Sequence, residues 1–249
     1  MKEVQVRKSN DRGYVNLGWL KSYHSFSFGE YFDRHHMHFS VLRVINDDIV
    51  AAGMGFGMHP HRDMEIVTYV LSGEIKHHDS IGNGSVIKAG DVQRMTAGTG
   101  VLHSEFNASQ AHEAHLLQVW LLPESDNLPP SYEERHFSDE QKLNQWCLIA
   151  TRNPEGNALD GAALRVHQDM QLYATLLNPN AMLHYALDTQ RSAYLHVASG
   201  EVKVNGLLIM TGDALMLSGE NSIVVESLSR TELLLFDLPL HTELREAHH

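Results

Sequence analysis

Short apolar segments with strand-like composition recur along the whole chain. They are rich in β-branched, aromatic and leucine residues, and Gly, Asn, Asp or Pro bounds or interrupts each of them. The clearest are HFSVLRVI, EIVTYVLSGEI, AHLLQVWLLP, AYLHVASGEVKV, NSIVVESL and ELLLFDLPL. Many short strands separated by turn residues favour a sandwich or a barrel over a fold that alternates strands with helices. We therefore predict an all-β protein with little helix.

The turn glycines reveal an internal repeat. The segment YVLSGEI at 69–75, followed by VIKAGDVQRM at 86–95, is similar to HVASGEVKV at 196–204, followed by LIMTGDALML at 208–217. Each half then ends in a leucine-rich segment next to a proline. Repeated sequence usually means repeated structure. The pattern therefore predicts two β-domains of similar architecture in tandem.

The stretch between the two repeats has a different composition. PESDNLPPSYEERHFSDEQ is rich in proline and charge and has no strand-like pattern. We expect a linker there, with at most one helical turn. The predicted domain boundary lies near residue 130, which gives domains 1–130 and 131–249. A polar tail, HTELREAHH, follows the last predicted strand.

Composition and charge narrow the range of partners. The chain has 249 residues, of which 43% are hydrophobic and 20% charged, and this is typical of a folded protein with a sizeable core. Its formal net charge is −12 at pH 7, so we expect no direct binding to nucleic acid or to anionic membranes. A single cysteine, the absence of an apolar leader and the absence of a long apolar run predict a cytoplasmic location.

The chain contains 18 histidines, and two segments combine them at metal-ligand spacing. GMGFGMHPHRDME carries His59 and His61, and AGTGVLHSEFN carries His103 and Glu105. Residues two apart on a strand point to the same face, so two neighbouring strands would close a four-ligand site. Three imidazoles and one carboxylate suit divalent Fe, Ni, Zn, Cu or Mn. The alternative is a set of surface or hydrogen-bonded histidines that bind no metal.

These two segments resemble the two motifs of the cupin superfamily. The matching positions are Gly53, His59, His61, Glu65 and Gly73 for the first motif, and Gly90, Gly98, His103 and Asn107 for the second. Spacing departs from the common form by one residue in the first motif and by two in the second. HPHRDME and TAGTGVLHSEFN resemble the pirin branch of the cupins in particular. GWLKSYHSFSFGEYFD, RVINDD and RVHQDMQLY extend this resemblance over almost the whole chain.

The resemblance to pirins implies a bicupin, which is a pair of tandem jelly-roll β-barrels with one metal site in the N-terminal half. It implies that His59, His61, His103 and Glu105 hold one divalent transition metal ion, with Fe expected first and Zn, Ni, Cu, Mn or Co as alternatives. Several bacterial members are described as quercetin 2,3-dioxygenases. The implied reaction is cleavage of a flavonol such as quercetin by O2 with release of carbon monoxide, and Glu105 would accept the proton of the 3-hydroxyl group.

Two further expectations concern the surroundings of this site. Glu65 competes for the fourth ligand position because other cupins use it, but it lies four residues beyond His61, which is ~13 Å along an extended strand. That spacing favours Glu105. An apolar barrel interior would hold the flat rings of the substrate and exclude water. Its candidate lining residues are Phe26, Phe28, Phe39, Met54, Phe56 and Trp120.

The remaining histidines and the second half carry weaker signals. His77 and His78 are expected to lie in a solvated loop. When the repeats are aligned, the metal-ligand positions of the first half fall on Ala186, Asp188, Ser192, Val225 and Ser227, so the second domain is predicted to lack a metal.

A second hypothesis for function stays open at this point. The resemblance to nuclear pirin implies a metal- or redox-dependent interaction module that binds a protein partner, with flavonol turnover incidental.

Overall fold

Antiparallel β-strands dominate the structure. The computed structural model describes residues 2–156 and 163–240, and in this part the only α-helix is the four-residue α1 (Asp139–Lys142). The polar tail predicted at 241–249 lies outside the described residues. None of the described helical segments has the length and apolar character needed to cross a membrane. The prediction of an all-β protein with little helix is confirmed.

The N-terminal half forms one seven-stranded and one four-stranded sheet. In spatial order, the larger sheet consists of β12 (Ser131–His136), β9 (Asp91–Thr96), β6 (Glu65–Ser72), β11 (Ala114–Leu121), β4 (Leu42–Val50), β3 (Leu20–His24) and β2 (Gly13–Asn16). The smaller sheet consists of β5 (Gly55–His61), β10 (Val101–Asn107), β7 (Glu74–Asp79) and β8 (Gly84–Lys88).

The C-terminal half repeats this arrangement. Its larger sheet consists of β1 (Glu3–Arg7), β20 (Ala214–Ser218), β17 (Arg191–Ser199), β22 (Thr231–Pro239), β15 (Gln171–Leu177), β13 (Cys147–Thr151) and β14 (Leu164–Arg165). Its smaller sheet consists of β16 (Met182–Ala186), β21 (Ser222–Ser227), β18 (Glu201–Val204) and β19 (Leu207–Met210). The sequence repeat is therefore a structural repeat, and the prediction of two tandem jelly-roll cupin domains is confirmed. The expected closure into barrels is not found among the described strands, because the large and the small sheet of each domain stay separate. The space between these two sheets is called the barrel below.

Each large sheet is completed by a strand from outside its own repeat. Strand β1 pairs with β20 of the C-terminal sheet, and β12 pairs with β9 of the N-terminal sheet. The prediction that the stretch between the repeats contains no strand is therefore wrong. Most side chains of β12 are exposed, so it lacks apolar alternation, and its backbone pairing with β9 is what makes it a strand. The boundary near residue 130 stays a prediction.

One helical turn follows β12, as expected for this stretch. Ser138 caps it: its hydroxyl accepts the backbone N–H of Gln141, and the Gln141 side chain accepts the backbone N–H of Ser138. This reciprocal pair satisfies two of the backbone donors that a helix N-terminus leaves free.

The two large sheets pack against each other through one apolar core. Buried side chains from both sheets form this core, among them Ile45, Val67, Leu117, Val119, Leu172, Tyr194, Leu234 and Phe236. Phe26 and Phe39 lie here as well, with ring centroids 5.6 and 6.0 Å from that of Tyr194. Their predicted place in a substrate pocket is therefore wrong, because their side chains pack between the domains and not inside a barrel.

The interior of the C-terminal barrel is filled with aliphatic side chains. Leucines of its large sheet pack there against residues of its small sheet, namely Leu183, Val202, Val204, Ile209, Ile223 and Val225. Val225 is the position that aligns with His103, and it is fully buried in this cluster. The same topology therefore encloses an apolar core in the second domain.

The turn at Gly73 has a left-handed backbone conformation, and a substitution can test whether it requires glycine. Gly73 has φ +75°, and a Cβ built there would lie 2.8 Å from the Cα of Ala114. We expect Gly73→Ala to lower the free energy of unfolding by about 1–3 kcal/mol, because the left-handed backbone becomes strained. Urea denaturation measures this loss.

Gly84→Ala is the matched control for that experiment. Gly84 lies on the edge strand β8, has no left-handed φ, and its added Cβ would make only contacts of 3.7 Å. Its effect should stay within about 0.5 kcal/mol, as at other surface positions. Equal losses in the two variants would contradict the assigned role of Gly73.

Candidate metal centre

Three histidines converge where β5 pairs with β10. In this pairing His103 lies directly opposite His59. The ring centroid of His103 lies 4.4 Å from that of His59 and 4.8 Å from that of His61, and the last two are 4.8 Å apart. One ring nitrogen from each residue lies within 4.8 Å of the others. Strand alternation and pairing thus bring together the three imidazoles that the sequence singled out.

The protonation of these rings suits metal binding. Burial, and then the neighbouring imidazoles, lower the pKa of His61 and of His103 to about 3, so both rings are neutral near pH 7. Neutral imidazole is the form that binds metals. His59 Nδ1 lies 2.7 Å from the carbonyl oxygen of Gly57, which suits Nδ1–H as donor and makes Nε2 the nitrogen available to a metal.

Unpartnered nitrogens give a second test of the fit. His103 is 0% exposed, and neither of its ring nitrogens has a hydrogen-bond partner. Buried polar atoms are nearly always paired in folded proteins, so such an atom needs an explanation. A divalent transition metal supplies one, and the donor set of three imidazoles with a nearby carboxylate fits it.

Glu105 is held firmly next to His103. It lies two residues further along β10, just after a bulge in the pairing with β5, and is 3% exposed. Gln118 Nε2 donates to Glu105 Oε2 at 2.7 Å, and Thr68 Oγ1 donates to Oε1 at 3.3 Å. A carboxylate oxygen of Glu105 lies within 4.8 Å of ring nitrogens of His103 and His77. The structure therefore groups Glu105 with His103 and His77, at the inner side of the three-histidine cluster.

His77 is the residue that sequence reasoning missed. It was expected in a solvated loop, but it is 0% exposed and lies on β7 directly opposite Glu105, so that expectation is wrong. His78, the next residue, is exposed as expected, but it too lies on β7 and not in a loop. The signal was the alternation in EIKHHD, which puts Ile75, His77 and Asp79 on one buried face.

Glu65 lies away from these donors. Its side chain is fully buried and accepts the backbone N–H of His167 at 3.2 Å. On β6, Glu65 and Thr68 are three residues apart and so point to opposite faces of the sheet, and Thr68 reaches Glu105. Glu65 therefore faces the C-terminal half of the chain instead of the barrel interior.

Aromatic side chains border the histidines on the outer side. The Trp120 ring meets His61 edge-on at 4.8 Å, and Phe28 meets Trp120 at 5.2 Å. Phe56 lies 6.2 Å from His59, whereas Met54 is 44% exposed. An open cavity of about 510 Å³ adjoins His61 between residues 60–62 and 99–102.

Deeper in the barrel a polar row lies between two apolar clusters, so the expected apolar interior is found only in part. Five buried residues, one from each of five neighbouring strands, lie directly opposite one another on the inner face of the large sheet: Gln93, Thr68, Gln118, Asn46 and His24. Two of them donate to Glu105. A buried carboxylate needs such donors, because water cannot supply them there.

Two family models match the sequence of this chain. Residues 5–121 match the family model "Pirin", and residues 148–238 match the model "Quercetinase C-terminal cupin domain". Quercetin 2,3-dioxygenase of Escherichia coli K12 is 45% identical over 236 residues, which cover 95% of this chain and 99% of that protein. A putative quercetin 2,3-dioxygenase of Pasteurella multocida is 44% identical, over 94% of this chain and 99% of that protein.

A solved structure agrees with these sequence matches. The bacterial pirin YhhW from Escherichia coli, in complex with nickel(II), superposes with a TM-score of 0.89 at 44% identity, over 96% of this chain and 100% of that one. Identity at this level, over nearly the full length of both chains, comes with the same two-domain fold. The chain therefore belongs to the pirin family.

Proposed function

We propose that the protein is a metal-dependent dioxygenase that cleaves flavonols such as quercetin with O2 and releases carbon monoxide. One observation carries this proposal: three histidines converge beside a buried carboxylate, and His103 has two unpartnered nitrogens. The quercetin 2,3-dioxygenases among its relatives support the choice of substrate. The single cysteine, Cys147, is free and buried, which fits the proposed cytoplasmic location.

The proposed ligands are His59, His61, His103 and Glu105. A divalent ion bound by them would supply a Lewis acid and a template for the substrate. We propose Fe as the ion, with Ni supported by the nickel complex of the Escherichia coli pirin, and with Zn, Cu, Mn or Co as further candidates. Both donor sets found among the described residues lie in the N-terminal domain, and the C-terminal domain is proposed to support it without binding a metal.

Glu105 is proposed as the general base. Its carboxylate would accept the proton of the flavonol 3-hydroxyl group, and Gln118 and Thr68 hold it in place for this transfer. Burial keeps water away from the carboxylate. Trp120 and Phe28 present apolar ring surfaces beside His61, which suits a flat aromatic substrate.

Deletion of one imidazole tests the metal centre. Wild-type protein should bind about one metal ion per chain, and His103→Ala should lose both the metal and quercetin turnover, because a ligand is removed. Elemental analysis after reconstitution with each metal, combined with O2 consumption, measures both. His184→Ala, at an exposed histidine on β16, is the control and should change neither. Full metal occupancy in His103→Ala would refute the site.

A charge-removing substitution separates metal binding from catalysis. Glu105→Gln keeps a weakly coordinating oxygen but loses the base, so metal occupancy should fall modestly while quercetin turnover falls by roughly 10²–10⁴-fold. Steady-state O2 consumption and metal analysis of the same preparation measure the two effects.

Glu65→Gln is the matched control, because Glu65 lies on the other face of the sheet. It should keep the metal and most of the activity. If Glu65→Gln empties the site while Glu105→Gln is harmless, Glu65 is the ligand and the assignment is wrong. If every variant keeps the metal and none changes turnover, the dioxygenase proposal gives way to a metal-dependent interaction module.

A further inference from the structure

Around the candidate metal centre, three buried ring nitrogens lack a hydrogen-bond partner. They are His77 Nδ1 and both nitrogens of His103, on two side chains that are 0% exposed. Leaving a buried donor or acceptor unpaired costs about 1–3 kcal/mol. A bound metal would account for one nitrogen of His103. The second nitrogen of His103 and Nδ1 of His77 then still need a partner.

Asp79 fixes the orientation of the His77 ring. The Asp79 carboxylate accepts the backbone N–H groups of Ile81 and Asn83 at 3.0 and 2.9 Å, and the Asn83 side-chain amide at 2.9 Å. His77 Nε2 lies 3.2 Å from Asp79 Oδ2, so Nε2–H is the donor there. The Tyr132 ring stacks on His77 at 4.7 Å. In the neutral tautomer that donates from Nε2, His77 Nδ1 carries the lone pair, in a plane that Asp79 and Tyr132 fix.

His103 needs an acceptor when it binds a metal. A ligating imidazole carries a hydrogen on its second nitrogen, and this N–H almost always donates to a neighbouring group. One ring nitrogen of His77 and one carboxylate oxygen of Glu105 lie within 4.8 Å of a ring nitrogen of His103, and the His77 and His103 ring centroids are 5.4 Å apart. Glu105 already accepts from Gln118 and Thr68 and is itself a proposed ligand. His77 Nδ1 is the acceptor with no partner.

We propose that His77 is a positioning residue of the metal centre, whose Nδ1 accepts the ring N–H of His103 and so fixes the tautomer and plane of that ligand. The chain Asp79–His77–His103 then pairs these three nitrogens: one nitrogen of His103 binds the metal, the other donates to His77 Nδ1, and His77 Nε2–H donates to Asp79. This inference rests on the proposed metal centre and is independent of the identity of the substrate.

Three variants test it through metal affinity. His77→Leu removes the acceptor, His77→Gln supplies an amide oxygen in its place, and His78→Leu changes the exposed neighbour on the same strand. Co(II) affinity, measured by competition with a chelator, should fall about 10–100-fold in His77→Leu. It should recover to within a few-fold of wild type in His77→Gln and stay unchanged in His78→Leu. Wild-type affinity in His77→Leu would overturn the proposal.

Proton NMR of the Co(II)-loaded protein gives a second test, and its first part uses the wild type alone. The ring N–H protons of ligating histidines are shifted far from the other resonances, and that of His103 should exchange slowly with solvent because it is buried and bonded to His77. Loss of this slow signal in His77→Leu, with its return in His77→Gln, is the expected result. Rapid exchange of every ligand N–H in the wild type would overturn the proposal.

The same measurements separate positioning from direct ligation. If His77 were itself a ligand, His77→Leu would change the Co(II) absorption spectrum through loss of a nitrogen donor, and His77→Gln would not restore it. None of these readouts uses a flavonol. If the Co(II) affinities follow the expected order but the wild type does not turn over quercetin, the dioxygenase proposal is refuted and the role of His77 stands. If the wild type turns over quercetin but His77→Leu keeps the wild-type affinity for Co(II), the role of His77 is refuted and the dioxygenase proposal stands.

Discussion

The exclusion of water from the N-terminal barrel is the constraint on which its chemistry depends. Buried imidazoles stay neutral there, as the low pKa of His61 and His103 shows, and each buried nitrogen or oxygen must find a partner within the protein. Gln118 and Thr68 meet this requirement for Glu105. The same requirement makes the unpartnered nitrogens of His103 informative, because a folded protein seldom leaves such atoms without a function.

The two domains show how one topology serves different purposes. Their sheets have the same strand order, yet aliphatic side chains fill one barrel, whereas the other has a row of polar side chains between two apolar clusters. At the position of His103 the second domain has Val225, which packs in the core and offers nothing to a metal. Fold alone therefore does not fix function, which resides in the side chains that point into the barrel.

Alternation along the strands separates the binding centre from the domain interface. The inner face of the large sheet carries Thr68 and Gln118, whereas Val67 and Val119 on its other face pack in the core between the two sheets. One sheet thus holds the chemical groups on one side and the supporting domain on the other. A substitution on either face is therefore expected to affect mainly its own side.

The sequence by itself determined the all-β class, the repeat and the pairs at His59 and His103, because two-residue alternation and turn glycines are local signals. The tertiary structure alone decided which strands pair. Strand pairing makes 131–136 an edge strand and places His77 opposite Glu105. The packing of the two large sheets buries Phe26 between the domains. Alternation shows which residues share a face, but it does not show what that face packs against. That depends on contacts between segments distant in the sequence, which no local pattern records.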